Sequence, residues 1–356
     1  MKKKFSISLL PGDGIGQEIT VEAKKILNWV DQNTDLDLDC FEELVGGSSI
    51  DKHQTPLHEK TLEKIKKSDA IILGAVGGPK WEKMAFELRP ERGLLKIRKE
   101  LDLFANFRPA IVFDSLINSS SLKPTIIKNL DLLIIRELTG GIYFGERGRK
   151  DNGNTAFDTC TYSRKEIERL AKKGFVLAMN RRKKLCCVDK ANVLESSRLW
   201  RETVQAMEKD YPEIKVTYEF VDAVAMRLIQ WPSSYDVLIT SNLFGDILTD
   251  EASVISGSMG LMPSASIGSK NALYEPIHGS YPEATGKKIA NPIASILSLS
   301  MMLDHSFNLK DESKIINRAV EDSLINKFTT PDLNNENEAY TTDEVGDYIV
   351  NFVKNN

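Results

Sequence analysis

Short apolar runs alternate with amphipathic stretches along most of this chain, and that alternation limits the fold more than any other feature. Residues 5–10, 38–44, 70–74, 104–109, 132–136, 184–188, 216–220 and 235–240 read as strands. Residues 17–30, 56–67, 93–103, 163–182, 194–210 and 223–229 carry the period of helices. Strands alternating with helices predict an α/β fold. Residues 289–303 are the most apolar late segment, but Asn291, Pro292 and three serines interrupt them and Asp304 follows. That pattern suits a buried core helix and not a membrane span. Residues 140–153 are rich in glycine and charge and read as an exposed arm or loop. Roughly the last 30 residues are polar and read as a loop and a surface helix.

A chain of 356 residues can hold two domains around a large core. Its 28% charged and 41% hydrophobic residues are ordinary for a globular protein. A net charge of −4 argues against nucleic acid or a membrane surface as partner. The basic start, Met1 to Lys4, precedes an apolar stretch too short for a signal peptide. Cys40, Cys160, Cys186 and Cys187 fit neither a zinc spacing nor a disulfide framework. They are expected to be reduced, in a cytoplasmic protein.

Chemistry concentrates in a few places. Asn242-Leu-Phe-Gly-Asp-Ile-Leu-Thr-Asp250 puts Asp246 and Asp250 at i and i+4, on one helix face. The apolar neighbours Leu243, Phe244, Ile247 and Leu248 suggest a packed helix. Two carboxylates there repel, and a divalent cation would reverse the sign of that interaction. Oxygen donors favour Mg²⁺ or Mn²⁺. A solvated acidic face is the plain alternative. Arg98, Arg108 and Arg136 stand at the ends of elements, and a guanidinium fork suits carboxylates. Each alone reads equally as an ordinary ion-pairing residue. Leu94 and Arg98 share a helix face. Lys190 and Asp222 both follow apolar strands, as a candidate base and a third candidate carboxylate. Tyr143 sits in the glycine-rich arm. Leu10-Pro-Gly-Asp-Gly-Ile-Gly16 joins a strand to a helix but lacks the G-x-G-x-x-G spacing. It reads as a tight turn or a cofactor contact. Residues 274–292 form a turn-rich stretch that could wrap an adenosine or simply be a long surface loop.

Taken together, several segments resemble the metal-dependent β-decarboxylating dehydrogenases of the isocitrate/isopropylmalate type. The resemblance rests on Gly77-Gly-Pro-Lys-Trp81, Arg89-Pro-Glu-Arg-Gly-Leu-Leu95, Leu103-Phe-Ala-Asn-Phe-Arg-Pro109, Arg136-Glu-Leu-Thr-Gly-Gly-Ile-Tyr-Phe-Gly-Glu146 and Asn242-Leu-Phe-Gly-Asp246. It implies a two-domain α/β fold with a discontinuous first domain, distinct from a Rossmann fold. Residues 1–103 and 255–356 would form the cofactor-binding domain. Residues 104–254 would carry dimerisation, metal and catalysis. Arg98, Arg108 and Arg136 would hold substrate carboxylates, joined by Asp222. Tyr143 and Lys190 would be the acid/base pair. Asp222, Asp246 and Asp250 would ligate the metal. Glu91, Leu94 and Leu95 would shape the pocket for an isopropyl group. The cofactor would meet Gly77, Gly78, Glu275, His278, Gly279, Ser280, Tyr281, Pro282, Glu283 and Asn291.

The cofactor loop His278-Gly-Ser-Tyr-Pro-Glu283 departs from the usual His-Gly-Ser-Ala-Pro-Asp. Glu283 keeps a carboxylate for ribose hydroxyls and repels a 2′-phosphate, which implies NAD. The implied reaction is oxidative decarboxylation of (2R,3S)-3-isopropylmalate to 4-methyl-2-oxopentanoate, a step of leucine biosynthesis. The implied assembly is a homodimer in which Lys190 and Asp222 serve the neighbouring subunit's site. Competing expectations are a sibling enzyme for isocitrate, homoisocitrate, tartrate or another alkylmalate, a regulatory subunit, and a polycarboxylate-binding protein.

Overall fold

A computed structural model describes residues 3–255, 257–333 and 339–356. The chain forms two compact units, Met1–Leu103 with Gly257–Asn356, and Phe104–Ser256. Along the chain the strands are β1 (Lys3–Gly12), β2 (Leu36–Glu42), β3 (Ala70–Ala75), β4 (Ala105–Ile111), β5 (Asp131–Glu137), β6 (Arg147–Lys150), β7 (Thr155–Asp158), β8 (Lys184–Asp189), β9 (Lys215–Phe220), β10 (Val237–Thr240), β11 (Pro263–Ile267) and β12 (Ala272–Pro276).

In the first unit the strand order is β2-β1-β3-β12-β11. β2, β1, β3 and β12 run parallel, and β11 is antiparallel to β12. β3 is buried along its length, as its unbroken apolar run requires of a parallel strand covered on both faces. The helix Gly16–Asn33 turns Ile19, Ala23, Ile26, Leu27 and Val30 into the core, at helical spacing. The helix Ile293–His305 is buried nearly all round, as its composition demands.

One expectation is refined here and one is corrected. The helix Thr342–Lys354 lies at the surface with Glu344, Asp347, Asn351 and Lys354 exposed, but it also carries an apolar stripe of Val345, Ile349 and Val353 buried against its neighbours. The polar count of that segment reflected its outer face alone. The stretch 56–67 contains only the shorter helix Glu59–Ile65, and a second short helix, Gly47–His53, precedes it.

In the second unit the order is β4-β5-β10-β8-β9, with β4 antiparallel and the others parallel. The helix Arg164–Met179 begins with a reciprocal capping box between Ser163 and Glu166 and buries Ile167, Leu170, Ala171 and Phe175. Gly174 of this helix allows close packing, since a Cβ there would stand 2.5 Å from Ile239 Cγ2. The glycine-rich arm is more ordered than its composition suggests. Gly141–Tyr143 make a 3₁₀ turn, and β6 and β7 pair as a two-stranded antiparallel ribbon. No helix among the described residues is long and apolar enough to cross a membrane.

All four cysteines are free thiols, with Cys186 and Cys187 buried. Burial pushes Cys40 up to about 11, Cys186 to about 12 and Tyr274 to about 12, from ordinary values of 9.0, 9.0 and 10.0. The fold therefore holds these protons more tightly than the unfolded chain does. The stability linked to them is complete below about pH 9 and is lost as pH rises through the folded values. The thermal midpoint should fall steadily between pH 9 and pH 11, beyond the change between pH 7 and pH 8.5. Melting curves followed by circular dichroism check this, and a flat profile to pH 11 would contradict it.

Candidate active site

Asp246 and Asp250 both lie on the helix Asn242–Ile255, which follows β10 in the second unit. β5 and β4 bring two arginines to this helix. Arg136, at the end of β5, pairs through Nη1 with Asp246. Its Nε and Nη2 donate to Asn242 Oδ1 at 3.1 and 2.8 Å. Arg108, on β4, donates through Nη1 to Thr249 Oγ1 at 2.6 Å and reaches Asp250 Oδ1 at 3.4 Å. Its Nε donates to Asn106 Oδ1 at 2.7 Å. Both guanidinium groups are buried while the two aspartates are more exposed. The positive charges are thus fixed and the carboxylates face outward.

Tyr143, closing the 3₁₀ turn, donates from Oη to Asp246 Oδ2 at 2.5 Å. Its ring lies 5.6 Å from the Arg136 guanidinium carbon. Burial and then the hydrogen bond to Asp246 push the phenol up to about 12. Burial also raises Asp250; Arg108 opposes that rise and the neighbouring Asp246 adds to it. The smaller Asp246 contribution is the like-charge strain expected of two carboxylates one turn apart.

Lys190 and Asp222 form a separate pair at 2.5 Å, Lys190 just after β8 and Asp222 in the first turn of the helix Val221–Gln230. The ammonium holds the Asp222 carboxyl below its usual range. Asp222 does not join Asp246 and Asp250 within one chain: no group of three His, Cys, Asp or Glu side chains placed to hold a metal occurs among the described residues. Ile247, expected to pack, is instead 57% exposed.

The first unit carries the other candidates. Arg98, near the end of the helix Pro90–Glu100, donates from Nη2 to Glu275 Oε1 at 2.9 Å, both groups being buried. Leu94 and Leu95 on the same helix are half-buried, and Leu94 packs on the apolar cluster that includes Leu10, Ile71 and Leu273. A Cβ on Gly77 would stand 2.9 Å from Glu91 Oε1 and 3.9 Å from Ser280 Oγ, so these three candidates converge. Gly77 and Gly78 take φ of 114° and 154°, which favours glycine.

The loop bearing His278, Gly279, Tyr281, Pro282 and Glu283 is tied to the glycine turn through Ile15 N–H and Ser280 O at 2.9 Å. His278 has its Nε2 buried with no partner, and burial lowers its proton affinity, so the ring is neutral. A neutral imidazole with an unused nitrogen suits a nucleoside. Glu283 is exposed. Lys288, a potential phosphate ligand, is engaged by Asp343 at 2.8 Å. Asn291 is buried, donating to Asp332 Oδ2 at 3.1 Å and accepting from Ile293 N at 3.0 Å.

Sequence reasoning gave no role to Asn242, Thr249 or Asp13. Asn242 and Thr249 anchor the arginines. Asp13 accepts from the N–H groups of Gly47, Ser48 and Gly77, each at 2.8 Å, and so holds the Gly77 turn in place. The only signal in the chain was that all three lie inside two of the quoted motifs, residues 10–16 and 242–250.

Residues 6–349 match the isocitrate/isopropylmalate dehydrogenase family. A 3-isopropylmalate dehydrogenase of Pseudomonas savastanoi pv. phaseolicola is 52% identical over 355 residues, spanning 98% of this chain and 99% of that one. The enzyme of the same name from Aquifex aeolicus is 51% identical over 337 residues, spanning 94% and 93%. The crystal structure of isocitrate dehydrogenase from Methylococcus capsulatus is similar with a TM-score of 0.89 at 33% identity, covering 98% of this chain and 99% of that one. With likeness running through nearly all of its length, the chain belongs to the isocitrate/isopropylmalate dehydrogenase family.

Proposed function

We propose that this protein is the NAD-dependent, divalent-metal-dependent enzyme that oxidatively decarboxylates 3-isopropylmalate in leucine biosynthesis. The observation that carries the reading is the meeting of Arg136, Tyr143 and Asp246: a carboxylate clamp, a phenol holding its proton and a metal-type ligand share one spot. The relatives named 3-isopropylmalate dehydrogenase support the substrate. So do Leu94 and Leu95, an apolar pair on the helix that carries Arg98.

Asp246 and Asp250 fit a hard cation, since both offer carboxylate oxygens one helical turn apart and both are more exposed than the arginines beneath them. His278, Glu283 and the Gly77–Gly78 turn fit the nucleotide, with Glu283 and the engaged Lys288 favouring NAD over its 2′-phosphorylated form. Once bound, the cation would polarise the substrate's hydroxyl and carbonyl oxygens and NAD would accept the hydride. The remaining work belongs to side chains. Arg98, Arg108 and Arg136 hold and orient carboxylates. Lys190 takes the hydroxyl proton. The oxidised 3-oxo acid releases CO₂, and Tyr143 returns a proton from Oη to the carbon left behind.

The same helices support a homodimer. Met226 and Ile229 on Val221–Gln230, Trp231 just beyond it, and Ile247 and Val254 on Asn242–Ile255 are exposed apolar side chains on two helices that pack together. Such a face suits a second copy of this chain. That copy would supply Asp222, which forms no three-residue metal cluster with Asp246 and Asp250 among the described residues, and with it Lys190. Met226→Glu combined with Ile229→Glu should give a folded monomer with turnover reduced about 10²-fold or more, the loss expected when an acid/base residue is withdrawn. Sedimentation velocity beside an activity assay checks this; a fully active monomer would refute the shared site.

The deciding experiment for the function follows absorbance at the NADH band with Mg²⁺, comparing 3-isopropylmalate with isocitrate and NAD⁺ with NADP⁺. A rise confined to 3-isopropylmalate with NAD⁺ is expected. Oxidation of isocitrate alone would overturn the substrate assignment.

A further inference from the structure

Arg136 is held more tightly than a surface arginine needs to be. Asn242 Oδ1 accepts from both Nε and Nη2, at 3.1 and 2.8 Å. The amide cannot flip, because its Nδ2 donates to Gly140 O at 3.1 Å. The residue itself cannot drift, because its backbone N–H donates to Tyr162 Oη at 2.9 Å. Tyr162 is buried and stands edge-on to Trp200, with ring centroids 5.5 Å apart. From the other side Gly245 supports the arginine's stem: a Cβ there would fall 2.6 Å from Arg136 Cγ. Asn242 is 2% exposed, so this clamp lies under the site and is shielded from solvent.

We propose that Asn242 is a positioning residue that orients Arg136 for the substrate carboxylate without adding a second negative charge to the one Asp246 already brings. A neutral amide oxygen fixes the fork as firmly as a carboxylate could, and it adds no negative charge beside an incoming anion. The inference rests on Arg136 binding a substrate carboxylate, as proposed above. It explains why the first residue of this helix is an asparagine although aspartate, with its charge at a helix N-terminus, would serve the helix at least as well.

Asn242→Asp and Asn242→Ala separate orientation from charge. Both should keep the fold, judged by melting temperature, and both should keep the KM for NAD⁺ within about twofold. Removing the acceptor in Asn242→Ala should raise the KM for 3-isopropylmalate about 10- to 100-fold, the weight of hydrogen bonds to a charged group. Asn242→Asp keeps an acceptor but competes for the guanidinium, and should raise that KM to a similar degree with kcat less affected. Should Asn242→Ala not fold, Asn242→Ser decides the matter, since serine suits a helix start but is too short to reach the guanidinium. A wild-type KM for 3-isopropylmalate in folded Asn242→Asp overturns the charge argument. An equal rise in both KM values would mark a general distortion and overturn the positioning role. If the wild-type protein itself fails to oxidise 3-isopropylmalate, the proposed function falls, and that failure is distinguishable from a failure of Asn242.

Discussion

Asp246→Asn should cost turnover about 10²–10³-fold or more while leaving the fold intact, as expected for removing a group that stabilises developing charge. Asp246 sits where Arg136 Nη1 and Tyr143 Oη converge. The substitution keeps the size of the side chain and removes one anionic donor for a hard cation. The ion pair with Arg136 is lost, but the fold should survive. Arg136 retains its two hydrogen bonds to Asn242, and Asp250 loses the neighbouring charge that raises its proton affinity. Melting curves with and without Mg²⁺ give a readout independent of activity. The wild-type protein should be stabilised by Mg²⁺ through mass action, and the variant much less. A variant with wild-type turnover and a wild-type Mg²⁺ shift would remove Asp246 from the ligand set.

Tyr143→Phe should lower kcat about 10²–10⁴-fold, the usual weight of a placed acid or base, with little change in the KM for the dicarboxylate. The ring remains to pack beside Arg136, so only the hydroxyl and its 2.5 Å hydrogen bond to Asp246 are lost. Because the proposed role is to return a proton after CO₂ has left, hydride transfer should survive better than product formation. Rapid-mixing measurements would then show a burst of NADH larger, relative to the steady rate, than that of the wild-type protein. Equal losses in burst and steady rate would assign Tyr143 to an earlier step.

Local information in the chain ends at the contacts between distant residues. Strands such as β3, β5 and β8 are legible because an unbroken apolar run has few destinations besides a covered parallel sheet. Helices are legible from the period of their apolar positions, which is a local property. The stretch 140–153 was legible as an exposed arm or loop, but the pairing of β6 with β7 was not, because it is set by hydrogen bonds that glycine and charge do not advertise. Ile247 was misread as packed because an apolar residue on a helix states that something covers it, and not whether that cover belongs to the same chain.

The candidate site divides in the same way. The i and i+4 spacing of Asp246 and Asp250 follows from helix geometry and needed no structure. The hold on Arg136 by Asn242 joins residues 106 positions apart, and the triple grip of Asp13 on Gly47, Ser48 and Gly77 reaches across as many as 64. Sequence by itself determined the class of fold, the kinds of chemical group and those neighbours that one helical turn makes inevitable. Which arginine meets which carboxylate, which amide steadies it and which apolar face stays open were decided only by tertiary structure, because hydrogen bonds and burial act across space while the periodicity of a chain reports only on near neighbours.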